Sequence, residues 1–158
     1  MAIAIHRAKN FGDFQDFHEL LVEYEGVLPD ELRHDAVPRA NELRALYAKR
    51  DAAFLAKEGS AIAGCVAVTE LDAGTAIIVR LFVRPAHRGA GAARALVGAA
   101  IEFLRKAGYH RAVLDTDKER LAAAYQLYLS LGFTECEPYE RQNYEHPTFM
   151  ERPLDLQL

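Results

Sequence analysis

Cysteine is scarce in this chain, with two residues among 158, Cys65 and Cys136, too far apart to form the C-x-x-C spacing that holds zinc or a redox pair. A disulfide scaffold is thereby excluded and a reducing compartment expected. Cys65 lies in the apolar run Ala61 to Val68 and reads as a buried structural thiol. Nowhere do about eighteen apolar residues run together, as a membrane-crossing helix requires. Met1 to Lys9 has neither the apolar stretch nor the small-residue cleavage site of a signal peptide, so the expected location is the cytoplasm. There is no Gly-Lys-Ser/Thr of a P-loop, and no GxGxxG in a first strand-helix unit followed by an acidic residue, so nucleoside triphosphates and NAD are not the expected ligands. An excess of positive charge is also lacking: the net charge is -4 with 27% charged residues, which argues against nucleic acid as a partner. Repeats, low-complexity tracts and linkers are absent too. With 51% hydrophobic residues to fill one core, residues 1–158 read as a single domain.

What is present is a regular alternation of patterned segments. Met1 to Arg7 alternates at strand period through Ile3 and Ile5. Asp13 is placed as the cap of a first helix carrying Phe14, Phe17, His18, Leu21 and Val22, which Gly26 and Pro29 stop. Leu43, Leu46 and Tyr47 suggest a second helix after Asn41. Ala52 to Lys57, Ala61 to Thr69 and Ala76 to Val83 are apolar runs separated by Glu58-Gly59-Ser60 and Asp72-Ala73-Gly74, the pattern of three consecutive antiparallel strands, and Pro85 closes the third. Leu96, Val97, Ala100, Leu104 and Ala107 form one helical stripe ending at Gly108. A short strand at Ala112 to Leu114, a helix over Leu121 to Leu131 with Gly132 as its left-handed cap, extended structure from Phe133 and a last strand at Phe149 to Leu154 complete the chain. The strand-helix-strand unit from Ala76 to Leu114 predicts a parallel pair within a mixed sheet covered by helices, an α/β (α+β) fold.

The chemistry concentrates at Arg88-Gly89-Ala90-Gly91-Ala92-Ala93, which follows a strand and opens a helix. A helix start exposes unpaired N–H donors and the positive end of its dipole, and Gly89 and Gly91 let a ligand approach the main chain closely, so an anion is expected there. From Gly74 to Leu114, Arg80, Arg84, Arg88, Arg94, Arg105, Lys106 and Arg111 oppose Glu102 alone. In an acidic chain, the positive charge is therefore gathered around that anion site.

The stretch Leu81-Phe82-Val83-Arg84-Pro85-Ala86-His87-Arg88-Gly89-Ala90-Gly91-Ala92-Ala93-Arg94-Ala95-Leu96 resembles the cofactor motif of the GNAT superfamily of N-acetyltransferases, whose core Gln/Arg-x-x-Gly-x-Gly/Ala is met by Arg88, Gly91 and Ala93. Ala124-Tyr125-Gln126-Leu127-Tyr128-Leu129-Ser130-Leu131-Gly132-Phe133 is similar to the second signature of that family, A-x-x-L-Y-x-x-x-G-F. The resemblance implies a mixed central sheet of about six to seven strands flanked by about four helices. It implies acetyl-CoA as co-substrate and no metal. The pantetheine arm would lie along main-chain groups of Leu81 and Val83, where the fourth strand splays from the fifth, and the diphosphate on the N–H groups of Arg88, Gly89, Ala90, Gly91, Ala92 and Ala93, with Arg88 or Arg94 beside it. The N–H of Phe82 or Val83 would hold the oxyanion, and Tyr128 would act as general acid toward the leaving thiolate.

Departures from the family pattern are also legible. Where many relatives place a basic glutamate on the fourth strand, this chain has Ile77 and Ile78, and Leu121 stands near the place of a helix asparagine. Asp115 and His87 qualify as bases by residue type only. The acceptor, read as a primary amine of a small molecule, is expected between the first two helices and Tyr139 to Thr148, a stretch with Tyr139, Arg141, Asn143, Tyr144 and His146. The acids Glu19, Glu23, Glu25, Asp30, Glu31 and Asp35 stand ready either to attract a cation or to solvate helices. The alternative is a noncatalytic acyl-CoA-binding sensor on the same fold, against which the retained Tyr128 argues. By analogy with the family, a homodimer is expected.

Overall fold

The structure, a computed structural model, describes residues 2–34, 36–142 and 144–155. The expectations that touch Met1, Asp35 and Asn143 lie outside the described residues. In chain order the elements are β1 (Ile3–Arg7), α1 (Phe11–Val27), α2 (Ala40–Tyr47), β2 (Ala52–Glu58), β3 (Ala61–Asp72), β4 (Thr75–Val83), α3 (Ala92–Lys106), β5 (Arg111–Thr116), α4 (Ala122–Ser130), β6 (Thr134–Glu135) and β7 (Thr148–Pro153). Short 3₁₀ turns occupy Asp30–Leu32 and Pro85–His87. This is the order of strands and helices expected from the sequence patterns. Seven strands make one sheet in the order β1-β2-β3-β4-β5-β7-β6, and β4 with β5 is its parallel pair.

The apolar runs of β2, β3 and β4 are nearly continuous because both faces of the sheet are covered. Alternation along the strands sends Phe54, Val66, Val68 and Ile78 into a core with Leu96, Val97, Ile101 and Leu104 of α3 and Tyr128 of α4. Leu55, Cys65, Ala67 and Phe82 point the other way, toward Phe14, Phe17, Leu20 and Leu21 of α1 and Leu43 and Tyr47 of α2. Cys65 is fully buried, and burial pushes its thiol up to about 12, the inert state expected of a structural cysteine.

Local chemistry corrects three details. Asn10, not Asp13, caps α1. Its side chain accepts from the Asp13 N–H at 2.8 Å while the Asp13 carboxylate accepts from the Asn10 N–H, a reciprocal capping box that starts the helix two residues before Asp13. Val22 and Leu46 belong to exposed helix faces, at 51% and 55% exposure, because Leu20 and Leu21 on α1 and Leu43 and Tyr47 on α2 turn the core-facing arcs away from them. Past Phe133, among the described residues, only Thr134–Glu135 pairs as a strand before β7, since β6 lies at the edge of the sheet and binds β7 alone.

Two features open the sheet where chemistry is possible. The ladder between β4 and β5 covers only Thr75–Ile77 against Arg111–Val113, after which β5 continues against β7 and β4 against β3. The β3–β4 register also slips between Cys65↔Phe82 and Ala67↔Val79, so that β4 carries one extra residue there. That residue is Arg80, whose φ of 59° is left-handed, an uncommon state for a side chain with a Cβ. Its carbonyl turns out of the ladder and accepts from the Cys65 thiol at 3.4 Å. The opposing strand must come close at this point, and Gly64 permits it: a Cβ there would stand 2.4 Å from the Phe82 carbonyl oxygen.

Candidate active site

A cleft of about 780 Å³ follows the gap between β4 and β5. Leu81, Phe82, Val83, Arg88, Gly89, Gly91, Ala92, Ala93, Arg94 and Tyr128 all line it, and Ala90, alone among the residues expected to bind the cofactor or act as the acid, does not. The N–H of Arg84 donates to the Ala63 carbonyl at 2.8 Å, so by strand alternation Phe82 also faces β3, while Leu81 and Val83 turn their main-chain groups to the open edge. Of the two main-chain donors considered for an oxyanion, the Val83 N–H is thus the one directed at the cleft. The Val83 carbonyl accepts from Arg88 Nε at 3.1 Å, which pins that guanidinium across the strand end.

At the start of α3, Gly89 and Gly91 have φ of 85° and 84°, a left-handed conformation that L side chains adopt only with strain. Gly91 is the N-cap and offers no side chain to the helix, so the first N–H groups of α3 are left for another partner. Charge pairing sharpens the site further. Arg84 is taken by Glu23 at 2.6 Å, Arg105 by Glu102 at 2.8 Å and Arg111 by Glu151 at 2.8 Å. Among the described residues, Arg80, Arg88 and Arg94 have no carboxylate partner, and all three border the cleft. Arg94 donates to Ser130 Oγ at 2.8 Å, which ties the α3 start to the end of α4.

Tyr128 is 7% exposed, its ring edge-on to Phe133 at 5.9 Å. Among the described residues its hydroxyl has no hydrogen-bond partner, and no fully buried side-chain polar atom is left unpaired, so the hydroxyl reaches the cleft surface. Burial first, then the neighbouring Tyr24 and Asp115, raises its pKa well above the ordinary phenol value. Tyr128 therefore keeps its proton at neutral pH.

Opposite α3 and α4 the cleft is bounded by Tyr24, Val27, Leu28 and Leu32 at the end of α1 and just beyond it, and by Asp115 and Tyr144. No residue of α2 borders it, which corrects the expectation that both first helices would, because α2 packs on α1 rather than at the sheet opening. Tyr139, too, lies behind the wall, stacked edge-on with Phe149 at 5.1 Å. Asp115, at the free end of β5, accepts from Tyr144 Oη at 2.6 Å on Oδ2, and from Gln142 Nε2 at 3.1 Å and Tyr139 Oη at 3.3 Å on Oδ1. Burial and the Asp115 carboxylate raise both tyrosines. His87 borders the cleft beside Arg88 with its Nδ1 2.7 Å from Glu58 Oε1, so it is already engaged away from the acceptor wall.

Four of the acids expected there are spent on internal pairs, Glu23 with Arg84, Glu25 with His34, Asp30 with Arg33 and Glu31 with Arg120, while Glu19 makes no ion pair among the described residues. The Glu31–Arg120 bridge, at 3.0 Å, ties the turn after α1 to Arg120 on the cleft wall, and Arg120 also pairs with Asp117 at 2.7 Å. Neither that bridge nor the outlying conformation of Arg80 was visible in the sequence, since both depend on the register of distant strands; an arginine in the middle of an otherwise apolar β4 was the one signal available. Among the described residues no group of His, Cys, Asp and Glu is placed to hold a metal ion, and no helix is long and apolar enough to cross a membrane.

Comparison with known proteins agrees with this architecture. The model of the acetyltransferase (GNAT) family matches residues 14–133. A Schizosaccharomyces pombe protein described as an uncharacterized N-acetyltransferase is 35% identical over 142 residues, covering 87% of this chain and 86% of that protein. Among solved structures, an acetyltransferase from Salmonella typhimurium, determined with its cofactor acetyl-CoA, superposes with a TM-score of 0.79 at 22% identity, over 99% of this chain and 96% of the other. Spermidine N-acetyltransferase from Vibrio cholerae in complex with CoA and spermine gives 0.74 at 20% identity, over 97% and 96%. With a family match across three quarters of its length and a splayed β4–β5 edge running into a glycine-capped helix, this chain belongs to the GNAT family of N-acetyltransferases.

Proposed function

We propose that residues 1–158 act as one domain that transfers an acetyl group from acetyl-CoA to a primary amine of a small molecule. The observation that carries the reading is the convergence, in one cleft, of the unpaired β4 edge, the left-handed Gly89 and Gly91 at the α3 start, and the unpartnered hydroxyl of Tyr128. The pantetheine amides pair with Leu81 and Val83 as an added strand would. The diphosphate sits on the N–H groups between Arg88 and Ala93, with the uncompensated charges of Arg88 and Arg94 beside it.

The acceptor enters past Tyr24, Asp115 and Tyr144. Its amine, after losing one proton to solvent, attacks the thioester carbonyl; the new C–N bond forms, and the C–S bond breaks with its electron pair on sulfur. The Val83 N–H supports the oxyanion, Tyr128 gives its proton to the thiolate, and the phenolate regains a proton from water as the amide nitrogen sheds one. A homodimer in the cytoplasm is part of the same reading, by analogy with the family, and light scattering of the purified protein tests the dimer.

The test of the activity is a titration of coenzyme A followed by calorimetry, then thiol release on acetyl-CoA with a panel of primary amines. Binding with turnover supports the enzyme. Tight binding with no turnover on any amine would instead identify a sensor, and absence of binding would remove the cleft as a cofactor site.

A further inference from the structure

The cleft also holds two charges of opposite sign, Asp115 and Arg80, that form no ion pair among the described residues. Asp115 takes three hydrogen bonds, all from uncharged donors, and among the described residues it forms no ion pair. Its Oδ2 accepts only from Tyr144, which leaves a lone pair on that oxygen for one more donor. The other cationic groups nearby are already committed: Arg120 to Asp117 and Glu31, and His34 to Glu25. Arg80 is the exception. It is half-buried and borders the same cleft, and its guanidinium has no hydrogen-bond or carboxylate partner among the described residues.

Arg80 stands within β4, ahead of the strand end where Arg88 and Arg94 meet the α3 start, and it lines the cleft together with Tyr24 and Phe82 of the α1 side. The Tyr24 phenol, which borders the same cleft as Asp115 and Arg80, is raised to about 12 chiefly by burial. An arginine held in a left-handed bulge, with no partner for its guanidinium among the described residues, is a costly arrangement for the protein to keep on its own account. A half-buried guanidinium calls for a counter-ion, and its planar fork suits a carboxylate. Around these two charges, Leu28, Leu32 and Phe82 supply an apolar wall.

Resting on the acetyltransferase reading of this cleft, we infer that the acceptor is a free α-amino acid with an apolar side chain, its carboxylate on Arg80 and its amino group on Asp115 Oδ2. Both of its charged groups would then be matched, and acetylation of the amine converts the bound zwitterion into an anion that Asp115 repels, which favours product release.

Three ligands of one shape separate the charges: leucine, leucinamide and 3-methylbutylamine, measured by thiol release on acetyl-CoA and by calorimetry on the CoA complex. The expected result is a kcat/KM for leucine about 10²-fold above that of leucinamide or the decarboxylated amine, as loss of a desolvated charge pair gives. In Arg80→Gly, which removes the guanidinium and relaxes the left-handed backbone, that ratio falls to within a few-fold, while the Kd for CoA changes less than about threefold. Asp115→Asn raises KM for every acceptor.

Equal rates on leucine and leucinamide overturn the inference, as does an acid preference that survives in Arg80→Gly. A tenfold loss of CoA affinity in Arg80→Gly overturns it too, by moving that arginine to the phosphates. Acid-selective binding without turnover keeps the inference and sinks the proposed activity, whereas turnover of simple amines without acid preference does the reverse.

Discussion

Replacing Tyr128 by phenylalanine removes a single oxygen atom, and the structure sets what that atom does for stability apart from what it does for the reaction. Its hydroxyl makes no hydrogen bond among the described residues, so no partner is orphaned when it goes. The ring keeps its edge contact with Phe133 at 5.9 Å and its place in the core beneath α4. Stability should therefore change by less than about 1 kcal/mol, with gain as reasonable as loss, because a polar group has been taken from a mostly buried position. For the reaction, the phenol is a cleft hydroxyl that burial, with Tyr24 and Asp115 nearby, keeps protonated far into alkaline pH, the state a proton donor needs. Loss of that donor should lower kcat by about 10²-fold, equivalent to roughly 2.7 kcal/mol of transition-state stabilisation, with little effect on the Kd for CoA. The assay is thiol release at saturating acetyl-CoA, run beside a thermal melt of the same sample. An unaltered kcat in a variant that melts like the wild type refutes the assignment of Tyr128 as the acid.

Other outcomes follow from the same geometry. Gly91→Ala, forced to keep a φ of 84°, should lose about 1 kcal/mol of stability, seen in a urea melt, and bind CoA several-fold more weakly by calorimetry as the α3 start relaxes out of position. Gly64→Ala places a Cβ 2.4 Å from the Phe82 carbonyl oxygen and 3.1 Å from Val83 Cα, both main-chain atoms, so it should cost about 1 to 3 kcal/mol and weaken CoA binding by displacing the β4 edge; a melt equal to wild type contradicts that close approach. Alkaline pH should unfold the protein. Tyr24, Tyr128, Tyr139 and Tyr144 all lie above their unfolded value near 10, so the native state holds protons that the unfolded chain releases. Stability is then flat below about pH 10 and falls above it, by roughly 1.4 kcal/mol per pH unit for each tyrosine still protonated in the fold, with Tyr24 giving up its proton at about 12. A denaturant series from pH 8 to 11 that shows no such decline contradicts the burial of these phenols.

The sequence by itself determined the succession of strands and helices, because each is written locally: apolar runs bounded by Gly59 and Gly74, a helical stripe from Leu96 to Leu104, and left-handed glycines at 91, 108 and 132. It also marked the anion side of the cleft, since a strand, a proline turn and a glycine-opened helix adjoin one another along the chain. Local signals faltered at the start of α1, where Asn10 and Asp13 share the cap and either residue type alone would serve. They were silent wherever two distant segments meet. That Arg84 is consumed by Glu23 while Arg80 has no carboxylate partner among the described residues depends on which strand faces which helix, not on either residue's neighbours. The same is true of Asp115, a plain acid at a strand end until Tyr139, Gln142 and Tyr144 fold over it. Backbone periodicity is encoded within a few residues and can be read in one dimension, whereas charge pairing and desolvation are properties of contacts tens of residues apart, so the electrostatics of the acceptor wall were decided by the tertiary structure alone.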